Sequence, residues 1–172
     1  MIALHASRSL CRLAVIAIGL IGVTTTANAA DPREKLFGMW KLVSGVSEEL
    51  DTAKKTELWR PDAIGYITFV PEGRMMVLIA NSGRGKPAAA VPTMAEAESL
   101  FRSLLSYTGT YVLEGDRVTT KVDASWNQTW TGTDQVRTFK LDGDKLSLST
   151  APSPDPFSGK PSVRTLVWQK LK

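Results

Sequence analysis

From Met39 to the C-terminus, apolar and polar residues alternate in short runs separated by turn-forming residues, the two-residue period of strands that bury one face. The segments 39–47, 64–70, 74–81, 108–114, 116–126, 134–142, 145–150 and 163–170 are predicted strands. Pro71-Glu72-Gly73, Glu114-Gly115-Asp116 and Asp142-Gly143-Asp144 supply tight turns between neighbouring runs, which favours hairpins over βαβ crossovers. Strands paired in chain order can close on themselves, and closure removes the exposed edges that an open sheet must protect. The expected architecture is all-β, an eight-stranded antiparallel up-and-down barrel.

One segment breaks the two-residue period. Thr93-Met94-Ala95-Glu96 reads as a capping box after Pro92, and Met94, Ala97, Phe101, Leu104 and Leu105 then share a face at helical spacing. The predicted helix is therefore inserted between strands 3 and 4, as a plug over one mouth of the barrel or as a lid. Residues 81–91, with Gly83, Gly85 and several alanines, suit a flexible tether. Gly83-Arg84-Gly85-Lys86 is followed by Pro87 where a phosphate-binding loop needs Ser or Thr, so it does not read as one. The proline-rich stretch 151–162 is expected to form a rim loop.

Alternation also assigns faces. Gln135, Arg137, Phe139 and Leu141 share one face, so an inward Phe139 and Leu141 carry Arg137 inward with them. An inward guanidinium needs a carboxylate such as Asp123 or Asp134, several carbonyls, or the acidic group of a ligand. Val118, Thr120, Val122, Ala124 and Trp126 share a face of the preceding strand, which points Trp126 inward as core filler or as cavity wall. Trp126 and Trp130 bracket the polar turn Asn127-Gln128-Thr129, with Arg137 returning nearby. Aromatic walls with a few orienting polar groups are the usual composition of a small-molecule site. Trp126, Asn127, Trp130 and Arg137 are the first candidates for ligand contact; Tyr66 and Tyr111 either line the same cavity, with Met75, Met76 and Phe69, or fill it. Trp40 and Trp168, on the first and last strands, are assigned to closing the base.

The first residues change the chemical inventory. Arg8 and Arg12 form a basic start before an apolar stretch, Leu13 to Val23, and Ala27-Asn28-Ala29 offers small residues at a cleavage position. Residues 1–29 thus read as a signal peptide and 30–172 as the mature domain, periplasmic or secreted; the apolar stretch is short of the roughly 20 residues of a membrane span. No membrane span is expected after cleavage. Cleavage removes His5 and Cys11, the one His and the one Cys of the chain. The mature domain then lacks a thiolate, an imidazole base and the ligands of a Cys/His metal site, and neither metal nor cofactor is expected. Cleavage also removes two arginines and no acids, lowering the formal charge from +4 to +2, which gives no electrostatic case for nucleic acid.

The motifs resemble a known family. Gly38-Met39-Trp40-Lys41-Leu42-Val43-Ser44, Gly65-Tyr66-Ile67 leading to Pro71-Glu72-Gly73-Arg74-Met75, Tyr107 before Gly109-Thr110-Tyr111, Trp130-x-Gly132-Thr133-Asp134-Gln135-Val136-Arg137 and Leu141-x-Gly143-Asp144-x-Leu146 follow in the order seen in the bacterial and fungal lipocalin-like domains. That resemblance spans nearly all of residues 30–172 and implies a calycin-type barrel with a central cavity. It departs from ordinary lipocalins in its mid-chain helix and missing disulfide, and haem binding through a histidine does not carry over.

Three functions remain open at this point: a carrier for a small hydrophobic or amphipathic ligand, with or without an acidic group; a cofactor-free isomerase or cyclase using Asp123, Tyr66 or Arg137; and a structural protein with a filled barrel. No catalytic residue is assigned. Tryptophan and tyrosine surfaces with one inward arginine equip a binder more readily than a catalyst.

Overall fold

The computed structural model describes residues 32–155 and 158–172. The expected signal peptide, residues 1–29, lies outside the described residues. A short helix, α1 (Pro32–Leu36), precedes β1 (Gly38–Glu49), β2 (Lys55–Glu57), β3 (Ile64–Val70) and β4 (Arg74–Ala80). Helix α2 (Met94–Arg102) leads into β5 (Leu104–Glu114) and β6 (Arg117–Ser125), and a 3-10 turn, Gln128–Trp130, leads to β7 (Asp134–Asp142), β8 (Lys145–Ser149), β9 (Ser153–Pro154) and β10 (Pro161–Lys170).

Antiparallel pairing runs β1-β3-β4-β5-β6-β7-β8-β10, and β10 returns to β1 from Trp40 opposite Lys170 to Glu49 opposite Ser162. These strands form a closed eight-stranded barrel; β2 and β9 are short additions on β1 and β10. Helix α2 falls between the third and fourth barrel strands, β4 and β5, as the break in alternation predicts. Gly115 and Gly143 hold φ of 61° and 56° at the first loop position of their hairpins, the left-handed geometry that two-residue turns require and glycine adopts without a Cβ penalty.

Inward positions fill one end of the barrel solidly. Trp40, Trp168, Phe69, Ile67, Leu146 and Val118 are buried there, and Leu36 of α1 is fully buried beneath them. Trp40 Nε1 donates to the Leu36 carbonyl at 2.9 Å, satisfying an otherwise unpaired acceptor at the end of α1. Lys170 reaches over the Trp40 ring, 5.1 Å from its centroid, and donates to the Lys35 carbonyl at 3.0 Å. The first and last strands do close the base with their two tryptophans.

Two local expectations need correction. Helix α2 ends at Arg102, and Leu104 and Leu105 belong to β5, so the long apolar stripe is split between two elements. What remains of it is not a plug: α2 buries no residue, with Met94 88% and Phe101 48% exposed. The plugging side chain is Leu36, at the opposite end. Helix α2 is held by polar contacts, the Thr93–Glu96 capping box and Arg84, which donates to Ser103 Oγ at 3.1 Å and to the Leu100 carbonyl at 3.2 Å.

The second correction concerns β6. Thr108 pairs with Ala124 but Gly109 with Val122, so Asp123 is an extra residue, a bulge that resets the alternation. Val118, Thr120 and Val122 are buried as expected, whereas Ala124 is exposed. Asp123 itself is ion-paired with Arg74 across the strands.

Candidate functional site

At the end opposite the tryptophan floor, the barrel retains a half-enclosed cavity of about 490 Å³. Trp59, Trp130, Leu58, Leu105, Leu148 and Leu166 give it apolar walls. Gln135, Arg137, Thr150, Ser153 and Arg164 supply its polar groups. The volume lies within the range of pockets that enclose small organic ligands.

The strand ladder explains the placement of the arginines. Thr138 pairs with Ser149, and Ser149 with Thr165. One residue further along each strand, Arg137, Thr150 and Arg164 stand in a row across β7, β8 and β10, and the Thr150 N–H donates to the Arg164 carbonyl at 2.9 Å. Strands spaced about 4.8 Å apart set the two arginine backbones roughly 10 Å from each other, within reach of side chains this long.

Arg137 donates to the Val136 carbonyl at 2.8 Å and to Gln135 Oε1 at 3.2 Å. Arg164 donates to the Pro154 carbonyl at 3.0 Å and to Ser153 Oγ at 3.4 Å. Among the described residues, neither guanidinium is ion-paired with a carboxylate. Burial pushes Arg137 down from its ordinary pKa; Tyr107 opposes that and Arg164 adds to it. A guanidinium nonetheless stays protonated in a protein. Burial likewise pushes the Tyr107 phenol up, with Arg137 opposing, so Tyr107 is a neutral donor at physiological pH.

An aromatic chain connects this wall to helix α2. Tyr107 and Trp130 meet edge to face at 5.5 Å, Trp130 and Trp126 at 5.0 Å, and Trp126 lies 6.2 Å from Phe101. Trp126 itself lines a separate shallow groove with Met76, Thr108 and Ala124, on the outer side of β5, because the Asp123 bulge turns it from the inward face. Asn127 caps the 3-10 turn, accepting from the Thr129 N–H at 3.2 Å and the Thr129 hydroxyl at 2.9 Å, and thereby fixes Trp130.

The two tyrosines singled out from the sequence lie elsewhere. Tyr66, opposite Lys41 and Leu78, is exposed on the outer face, as is Met76. Tyr111 is buried in the floor, edge-on to Phe69 at 5.1 Å, and donates to the Val70 carbonyl at 3.3 Å. Phe69 and Met75 are core residues as well. The structure thus brings Trp130 and Arg137 together at one cavity, with Trp126 and Asn127 behind Trp130.

Sequence reasoning missed Trp59 and Arg164. Arg164 alternates with Leu166 and Trp168, and extending that face by one more step identifies it. Trp59 lies in the β2–β3 connection, where no period applies. Its ring lies against Gly45, where a Cβ would come within 2.8 Å of Trp59 Cδ1. Its buried Nε1 has no hydrogen-bond partner among the described residues.

The model of the lipocalin-like domain matches residues 37–171, which include every strand of the barrel. The chain belongs to the lipocalin-like domain family. Its fold also resembles a lipocalin-like protein from Bacteroides uniformis, at 14% identity and a TM-score of 0.43 over 80% of this chain and 99% of that one. An uncharacterized protein from Bacteroides eggerthii matches at 14% identity and a TM-score of 0.41 over 79% and 99%. No curated protein matches the sequence. In this lipocalin-like barrel the mid-chain α2 stands outside the wall, and the aromatic chain from Phe101 is its link to the cavity.

Proposed function

We propose that residues 1–29 direct export and that the mature lipocalin-like barrel is a periplasmic or secreted carrier for a small, partly apolar, acidic molecule. The observation that carries this reading is the half-enclosed cavity, apolar in most of its wall yet containing the inward Arg137. An apolar wall contributes affinity roughly in proportion to the area removed from water, and a fixed charge orients the ligand. The catalytic set expected from the sequence is not assembled: Asp123 is engaged by Arg74, and Tyr66 faces outward, so neither meets Arg137. A solid barrel is disfavoured by the same cavity.

Native mass spectrometry of the protein purified from the envelope fraction of its own host tests the reading. The expected result is a non-covalent adduct of small-molecule mass that is lost on denaturation. Recovery of ligand-free protein, with no thermal stabilisation across a panel of lipids and aromatic acids, would overturn it. Sequencing the N-terminus of that same preparation tests export: a start at residue 30 is expected, and a start at Met1 refutes it.

A further inference from the structure

The cavity wall brings two positive charges close together. Two guanidiniums line it, and among the described residues each is hydrogen-bonded only to neutral acceptors: Val136 and Gln135 for Arg137, Pro154 and Ser153 for Arg164. The 3.4 Å contact of Arg164 with Ser153 is at the long limit for a hydrogen bond, leaving that arm of the fork weakly engaged. The two like charges repel, burial adds a desolvation cost at Arg137, and among the described residues no carboxylate is ion-paired with either guanidinium. An arrangement with that deficit is relieved when a bound molecule supplies the negative charge.

The row geometry defines the position of that charge. Thr150 stands between Arg137 and Arg164 on the intervening strand, and its Oγ1 accepts from the Arg164 N–H at 3.1 Å, which leaves its own O–H proton to donate. We infer, building on the carrier reading above, that Arg137 and Arg164 form a two-armed anchor for the carboxylate head of an amphipathic ligand. Thr150 donates to the head between the arms, and the apolar part lies against Trp59, Trp130 and Leu166. Planar guanidinium forks match the two oxygens of a carboxylate, and their charge-assisted bonds are stronger than neutral ones. Arg164 is on this view a specificity-determining residue equal in weight to Arg137.

The test is isothermal titration of the mature protein with acid and alcohol pairs of matched tail: decanoate against decan-1-ol, and 2-naphthoate against 2-naphthalenemethanol. The acid of the better-bound pair is expected to bind roughly 10- to 100-fold more tightly than its alcohol, the worth of a charged hydrogen-bonded head. In Arg164→Gln and in Arg137→Gln the ratio of acid to alcohol affinity is expected to fall toward one, with folding checked by circular dichroism. Should Arg137→Gln fail to fold, Arg164→Gln and Arg164→Lys carry the test, the lysine retaining charge but losing the fork and recovering only part of the ratio. Equal binding of acid and alcohol by the wild type overturns the anchor and the acidic preference, while a carrier of small apolar molecules stands. An acid preference that survives Arg164→Gln overturns it too. If none of the compounds binds while native mass spectrometry still shows a small-molecule adduct, the anchor fails and the carrier reading stands; if the adduct is absent as well, both fail.

Discussion

The replacement Gly109→Ala probes the tightest surroundings of any glycine among the described residues. A Cβ at residue 109 would lie 2.1 Å from the Lys121 carbonyl oxygen, 2.8 Å from its carbon and 3.0 Å from Thr120 Cγ2. The first two atoms are backbone, so no rotamer change can relieve the overlap. Strand β6 cannot simply recoil, because Val122 beside it is tied on its far side: its N–H donates to the Thr133 carbonyl at 3.0 Å and its carbonyl accepts from the Gly132 N–H at 2.8 Å. Overpacking a core costs about 1–3 kcal/mol, and a backbone overlap at a pinned bulge belongs at the top of that range, about 3 kcal/mol. For a domain of this size that corresponds to a fall in Tm of roughly 9 °C. Gly115→Ala is the control: its Cβ meets nothing within 4 Å, and at φ of 61° it costs only the left-handed backbone, about 1 kcal/mol. Paired urea and thermal unfolding measure both. If Gly109→Ala costs no more than Gly115→Ala, the steric reasoning at the bulge is wrong.

Gly45→Ala places a methyl 2.7 Å from Leu166 Cδ2 and 2.8 Å from Trp59 Cδ1, both in the cavity wall. It is expected to cost about 1–3 kcal/mol in urea unfolding and to weaken calorimetric binding of the acid probe of the better-bound pair; unchanged affinity would mean that Trp59 yields away from the cavity. Trp40→Phe keeps a ring in the floor but strands the Leu36 carbonyl, and a loss of about 2 kcal/mol is expected by the same unfolding assay. Glu49, Asp62, Glu96 and Asp123 are held below the ordinary carboxylate range by hydrogen bonds from Lys160, Ser82, the Thr93 N–H and Arg74 respectively. Their folded values lie below their unfolded ones, so their contribution is complete above the unfolded range and is lost as pH falls through the folded values. The urea midpoint is therefore expected to decline from about pH 5 downward, and a midpoint that rises on acidification refutes this.

The alternation of apolar residues made the strands and most of their faces legible. Arg137 is the clearest case: its parity with Phe139 and Leu141 sufficed to turn it inward, and the observed register retains that parity. Two physical effects limited the rest. A single extra residue at Asp123 is invisible to a period-two reading, yet it moved Trp126 out of the inward face. The stripe through Met94, Phe101, Leu104 and Leu105 has helical spacing, but the chain breaks after Arg102 and sends the leucines into the sheet, so the plug it implied never forms. Trp59 had no period to reveal it, since it is positioned by the space that Gly45 leaves. Arg164 was within reach of the method: the face of Trp168 and Leu166 simply continues to it.

The seam between β1 and β10 joins the opening of the domain to its last residues, with Trp40 beside Lys170 and Leu42 beside Trp168. Contacts so distant in sequence form late, because the whole intervening chain must be ordered before they are rewarded. The barrel therefore remains an unclosed ribbon until the final strand pairs. A polypeptide stopped before residue 161 has β1 and β8 as two bare edges and no lid on the Trp40 indole, the state most open to self-association. Pairing of the last ten-residue strand is thus the event that turns a vulnerable sheet into a closed barrel.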